Sequence, residues 1–119
     1  MKLINLSNHP CNHWTQEQRK AGESFGEIID YPFPNVSPDN SEEEISLMAE
    51  RIVGDITNRY SCDIVIHLMG EFTLCYALIK RFRQYDITCV ASCTERNVME
   101  HTNGEKTVRF EFKKFRRYE

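Results

Sequence analysis

The sequence predicts an α/β fold, a Rossmann-like three-layer sandwich with a mainly parallel sheet and a C-terminal β-hairpin. Three observations carry that prediction. Apolar runs of strand length alternate with segments of helical period. The run Ile64, Val65, Ile66, His67, Leu68, Met69 is nearly continuous in apolar residues, as in a parallel strand covered on both faces. Near the end, Asn103-Gly104 lies between two segments of mixed polar and apolar residues, where it can supply the positive φ angles of a type I′ hairpin turn.

Each element has its own signal. Leu3, Ile4 and Leu6 make a short first strand that ends in the polar Ser7-Asn8-His9-Pro10. Thr15 followed by Gln18 has the spacing of a capping box, and Ala21 and Phe25 continue one face of a short, mostly polar helix that Gly26 stops. Ile28, Ile29 and Tyr31 suggest a second strand, after which Pro32, Pro34 and Pro38 stiffen the connection. Ser41 and Glu44 repeat the capping box. Ile45, Met48, Ala49, Ile52, Val53, Ile56 and Tyr60 then recur at helical spacing. The acidic run Glu42-Glu43-Glu44 is explained by the positive end of that helix dipole.

Gly70-Glu71 closes the third strand, Leu74, Cys75, Leu78, Phe82 and Tyr85 mark a third helix, and Ile87 to Ala91 a fourth strand. Val108, Phe110 and Phe112 alternate with Arg109, Glu111 and Lys113 until the phase breaks near Lys114 and Phe115, which predicts a bulge or a strand end there.

At 119 residues and 40% hydrophobic, the chain has material for one core, and a single domain over 1–119 is expected. The net charge is −3, but residues 105–119 carry six basic and three acidic side chains, so the tail is basic and the remainder acidic. Long duplex nucleic acid is an unfavourable partner for such a chain. No apolar run approaches the roughly 20 residues of a membrane span, nor the roughly 7–15 of a secretory signal. The five cysteines are odd in number and lack a C-x-x-C pair, so reduced thiols in a soluble, cytoplasmic protein are expected, with no membrane partner.

In open parallel sheets the ligand crevice lies beyond the carboxyl ends of the strands, near the reversal of strand order. That focuses attention on Ser7-Asn8-His9, on Met69-Gly70-Glu71-Phe72-Thr73, and on Ser92-Cys93-Thr94-Glu95-Arg96 after the fourth strand. The second segment opens a helix whose free N–H groups can hold a phosphate, with Gly70 permitting close approach of a ligand.

The chain has neither G-x-G-x-x-G nor a P-loop, which removes dinucleotide oxidoreductases and P-loop nucleotidases. His9, Cys11 and His13 lack the fourth ligand a stable zinc site needs, and Pro10 and Trp14 limit their geometry; no metal and no cofactor are expected. Cys93 would be a nucleophile only if Arg96 or a helix terminus lowered its pKa. His67, inside an apolar strand, reads as a core histidine with a backbone partner. Trp14 is either packing before the Thr15 cap or a platform for a nucleobase. His9 follows a strand at the crevice, where an imidazole can exchange protons.

LINLSNHP at the first strand, HLMGEFTLCYAL at the third strand and helix, and ASCTER after the fourth give the chain a family likeness. It resembles the small stand-alone CRISPR-associated Rossmann-fold (CARF) proteins of type III CRISPR systems, through most of its length and its order of elements. The resemblance implies a homodimer whose joined crevices hold a cyclic oligoadenylate, with cyclic tetra-adenylate the ligand expected first. It also implies one of two roles, a ring nuclease that opens this messenger without metal or a binder that sequesters it.

Ring opening would use the ribose 2′-hydroxyl and leave a 2′,3′-cyclic phosphate. His9 would then act as general base or acid, Ser7 would hold phosphate or ribose oxygens, and Arg96 would stabilise the transition state. The ligand-contacting set would be Asn8, Trp14, Gly70, Glu71, Thr73, Cys93 and Thr94. Glu71 is left with three roles: orienting His9, binding an adenine amino group, or pairing with Arg96. The basic tail would fold over the ligand or merely solvate an edge strand. A non-enzymatic interaction subunit that uses the exposed hairpin is the rival from another class. A metal-dependent hydrolase built on His9, His13 and Glu71 or Glu95 is third.

Overall fold

A computed structural model describes all residues, Met1–Glu119. The elements run β1 Lys2–Ser7, α1 Gln16–Glu23, β2 Glu27–Pro32, α2 Glu42–Tyr60, β3 Ile64–Leu68, α3 Phe72–Gln84, β4 Thr88–Glu100 and β5 Lys106–Arg117, with one 3-10 turn at Cys11–His13. They form one five-stranded sheet of order β2-β1-β3-β4-β5, parallel except for the antiparallel β4–β5 pair. The strand order reverses between β1 and β3, as expected of a doubly wound sheet. No helix is long and apolar enough to cross a membrane.

Strand alternation sorts the two faces of the sheet. Ile4, Leu6, Ile64, Ile66, Leu68 and Cys89 point to one side and pack against Ile45, Ala49, Ile52, Val53 and Ile56 of α2 and Leu74, Cys75, Leu78 and Phe82 of α3. The other side carries a much smaller apolar cluster of Leu3, Val65 and Val90, joined by Trp14, Phe25, Ile28 and Phe115. Helix α1 covers it, close enough that a Cβ on Gly22 would press on Ile28, Leu3 and Trp14. The remaining positions of that second face are polar: Asn5, Ser7 and His67 are all buried there.

Both capping sites form, but differently. Ser41 and Glu44 make the full reciprocal box at the start of α2. At α1 the Thr15 hydroxyl accepts from the Gln18 N–H, whereas the Gln18 side chain leaves the box and donates to Ser92 Oγ at 3.0 Å. Asn103-Gly104 does turn the hairpin, though not as type I′. Only Gly104 has a positive φ, +88°, and its N–H donates to His101 O at 3.0 Å. Thr102 and Asn103 therefore form an ordinary turn, and Gly104 takes the left-handed position of a three-residue loop.

The largest departure concerns β4, which does not end at Ala91 but continues to Glu100. Only Val65, Ile66 and His67 of β3 pair with it, so from Ala91 onward its neighbour is β5 alone. The hairpin extends beyond the rest of the sheet in a molecule measuring 54 × 37 × 25 Å overall. The expected phase break is a bulge at Lys113, since Cys93 pairs with Lys114 and Thr94 with Phe112. The bulge returns Phe112 and Phe115 to one face, with ring centroids 5.0 Å apart.

Replacing Ser41 by Ala removes one acceptor from the start of α2 and is expected to cost about 1 kcal/mol, read as a lowered urea midpoint at unchanged slope.

Candidate functional site

The polar face of the sheet is organised by one carboxamide. Asn5 Nδ2 donates to Asp30 Oδ1 and to His9 O, both at 2.8 Å. Asn5 Oδ1 accepts from Ser7 Oγ and from His67 Nδ1, again both at 2.8 Å. All four hydrogen-bonding positions of the amide are filled, and because two of its neighbours are pure acceptors its orientation is fixed.

The fixed amide fixes the histidine. Asn5 Oδ1 can only accept, so Nδ1 of His67 carries the ring proton and Nε2 is the acceptor, receiving Ser92 Oγ–H at 2.7 Å. His67 is buried at 2% exposure. Burial, assisted by the nearby His9, pushes its pKa down to about 4. The expected core histidine is confirmed, but its partners are the side chains of Asn5 and Ser92 rather than the backbone.

The β1–α1 loop is clamped by the same group. His9 O accepts from Asn5 Nδ2, from Trp14 Nε1 at 3.1 Å and more weakly from Ser7 Oγ at 3.3 Å, while the His9 side chain stays exposed. Asp30 continues the network, accepting the Cys11 N–H at 3.0 Å and facing its thiol at 3.5 Å. Burial, then the Asp30 charge, raises the Cys11 pKa. His9, Cys11 and His13 do not gather with any carboxylate into a metal-binding group. A cleft of about 150 Å³ opens beside this network, between Asn5, Ser7, Asn8, Asp30 and Phe33. It is smaller than the roughly 300 Å³ that encloses a drug-sized ligand.

Several residues of the expected site stand elsewhere than the sequence suggested. Ser7 is buried and its hydroxyl is committed to Asn5 and His9, so it is not free at the crevice. Glu71 is the N-cap of α3: its carboxylate accepts from the Thr73 and Leu74 N–H groups at 3.0 and 2.8 Å, and the Thr73 hydroxyl donates to it as well. Those bonds hold the Glu71 pKa below its ordinary value. The helix terminus expected to receive a phosphate is therefore occupied by the protein's own carboxylate, and Thr73 is engaged with it.

Gly70 serves packing instead of ligand approach. A Cβ there would lie 2.5 to 2.6 Å from the Phe33 ring, so only glycine leaves room for that side chain. Cys93, Thr94 and Arg96 lie within β4, not in a loop after it. Arg96 is exposed opposite Phe110, and at about 3.3 Å per residue it sits roughly 13 Å along the strand from Ser92. Trp14 packs edge-on against His67 with centroids 5.2 Å apart and touches the Phe115 ring at 6.0 Å, which favours the packing reading. In the basic tail, Lys113 pairs with Glu95 at 3.0 Å and with Glu111 at 3.3 Å on the edge strand.

The structure brings Asn8 and His9 to the crest beside the β3–α3 turn, where the Met69 N–H donates to Leu6 O at 3.2 Å. It also places there a residue of the β3–α3 segment to which the sequence assigns no role of its own. Phe72 opens α3 and is 88% exposed, with Tyr76 one turn on at 65%. The signal was present, since Phe72 and Tyr76 share a face but fall off the Leu74, Cys75, Leu78, Phe82 stripe.

The model of the Uncharacterized protein MJ1673 family matches residues 1–116. The chain belongs to that family. No curated protein matches this MJ1673-family chain. Among solved structures, Can2 from Sulfobacillus thermosulfidooxidans in complex with cyclic tetra-adenylate is similar at 15% identity, with a TM-score of 0.40. The alignment covers 90% of this chain and 36% of the Can2 chain, so the MJ1673-family chain spans little more than a third of that protein.

The neutral His67 makes stability depend on pH in a defined direction. Between pH about 6.5 and about 4 the unfolded chain takes up a proton on this side chain that the folded chain refuses, so stability falls as pH falls through that window. The loss from this group reaches about 3 kcal/mol at pH 4 and levels off below it. Urea midpoints of the unsubstituted chain should decline over this window more steeply than those of His67→Gln; equal slopes would contradict the assignment.

Proposed function

We propose that the chain is a CARF-like domain over residues 1–119 that binds cyclic oligoadenylate across the crest of the sheet, as a homodimer. The observation that carries this reading is the meeting of the two sequence motifs at one place. LINLSNHP and HLMGEFTLCYAL lie side by side, the end of β1 joined to the residue after β3 by the Met69-to-Leu6 hydrogen bond, with the His9 side chain and the Phe72 ring both exposed nearby. This is the switch point between β1 and β3, where open α/β sheets take their ligands.

The physical character of the crest favours recognition of bases. Phe72 offers a face on which adenine stacks, an interaction of about 1–3 kcal/mol per base. The amide of Asn8 offers a donor and an acceptor to an adenine edge. Glu71 occupies the nearby helix terminus, and Arg96 lies away along the hairpin, so little positive charge awaits the phosphates. Binding should accordingly vary only shallowly with salt.

Binding is the part of the reading that the geometry supports best. Of the three residues assigned to ring opening, Ser7 is internally bonded and Arg96 is remote within the chain, leaving His9 alone at the crest. The same facts favour a second reading, a non-enzymatic interaction subunit in which the exposed Phe72 and Tyr76 meet a protein.

Titration of the purified chain with labelled cyclic tetra-adenylate in excess chelator, resolving bound ligand and products, separates these readings. The expected result is binding of the intact ring, weakened about tenfold or more in Phe72→Ala with the fold unchanged. A linear product ending in a cyclic phosphate, lost in His9→Ala, would add chemistry to the crest. Failure to bind cyclic tri-, tetra- and hexa-adenylate alike would overturn the reading and leave the interaction subunit.

A further inference from the structure

The polar face holds an arrangement that the crest reading does not use. Ser92 Oγ lies 2.7 Å from His67 Nε2, and His67 Nδ1 lies 2.8 Å from Asn5 Oδ1. Asn5, saturated by its other partners, leaves Nε2 as the basic nitrogen, aimed at the hydroxyl. From this geometry we infer that Ser92 is an activated nucleophile, with His67 as its general base and Asn5 as the positioning residue, acting on small carboxylic esters.

Three features support the assignment. The order hydroxyl, imidazole, fixed oxygen acceptor is that by which serine and cysteine nucleophiles are activated on unrelated folds, recognised by geometry rather than by sequence position. Ser92 and Gln18 are half-buried, whereas His67 behind them is buried, so the array runs inward from the serine to the imidazole. Two donors also stand beside the hydroxyl. Gln18 Nε2 donates to Ser92 Oγ at 3.0 Å, and the Ser92 N–H donates to the Met69 thioether at 3.4 Å. A thioether is a weak acceptor on a flexible side chain, readily replaced by an oxyanion.

The substrate class follows from the surroundings. The Trp14 and Phe115 rings stand 5.2 and 5.4 Å from His67, making the wall beside the nucleophile aromatic and uncharged. A short apolar acyl group suits that wall.

In the step, Oγ forms a bond to the carbonyl carbon while its proton passes to Nε2. The carbonyl electron pair moves onto oxygen, held by the Ser92 N–H and Gln18. Collapse of the adduct breaks the bond to the alkoxide, which takes the proton from Nε2 and leaves as the alcohol. Water then attacks the acyl-serine in the same way, releasing the carboxylic acid and restoring Ser92.

A fluorophosphonate probe tests this directly, because Oγ–P bond formation with loss of fluoride leaves a stable adduct that peptide mass spectrometry locates. The expected result is labelling of Ser92 over every other serine, absent in Ser92→Ala. The rate should fall about a hundredfold in His67→Gln, the share that a positioned general base supplies. A merely structural network would leave Ser92 no more reactive than Ser37 on its exposed loop. No adduct at Ser92, or equal labelling across serines, overturns the inference. Site mapping in the unsubstituted chain decides it even where His67→Gln fails to fold.

Discussion

The Asn5 carboxamide is the constraint on which the polar half of this molecule depends. It sits on an interior strand of the sheet at 1% exposure, where an unsatisfied amide would cost about 1–3 kcal/mol for each group left without a partner. Its four bonds reach β2 through Asp30, the crest loop through His9, its own strand through Ser7 and β3 through His67. One side chain thereby ties adjacent strands together and sets where the loop after β1 can go.

The two faces of the sheet divide the labour. Helices α2 and α3 bury the large apolar cluster on one side, and that cluster supplies most of the hydrophobic stabilisation. The other side has one short helix and three buried strand residues, so it accommodates polar groups that a dense core would exclude. Those groups are bonded to one another, and no buried side-chain nitrogen or oxygen lacks a partner. A satisfied network of this kind is rigid, which suits the placing of a crest loop or the aiming of a hydroxyl.

The elements were legible because each rests on local signals that the tertiary structure reinforces: the capping box at Ser41, the helical period from Ile45 to Ile56, the apolar run from Ile64. What failed was the reading of ends. Nothing in Ser92-Cys93-Thr94-Glu95-Arg96 distinguishes a strand in a free hairpin from a polar loop, because the partner, β5, is about twenty residues away. Gly70 shows the same limit. Its lack of a Cβ is required by Phe33, a contact invisible to any local pattern. Asn5 and His67 read as strand residues, which they are. That they meet across the β1–β3 register, residue for residue, is a fact of pairing that spacing along the chain does not contain.

Nitrogen-15 NMR of the His67 imidazole between pH 5 and 7 reads the state of the Asn5 network at its centre. The expected spectrum is that of a neutral ring throughout, with the proton on Nδ1 and an unprotonated Nε2 receiving Ser92. A proton on Nε2, or an imidazolium at pH 6, would contradict it, because Asn5 would then hold a different set of partners and neither the clamp on the crest loop nor the basic nitrogen facing Ser92 would stand.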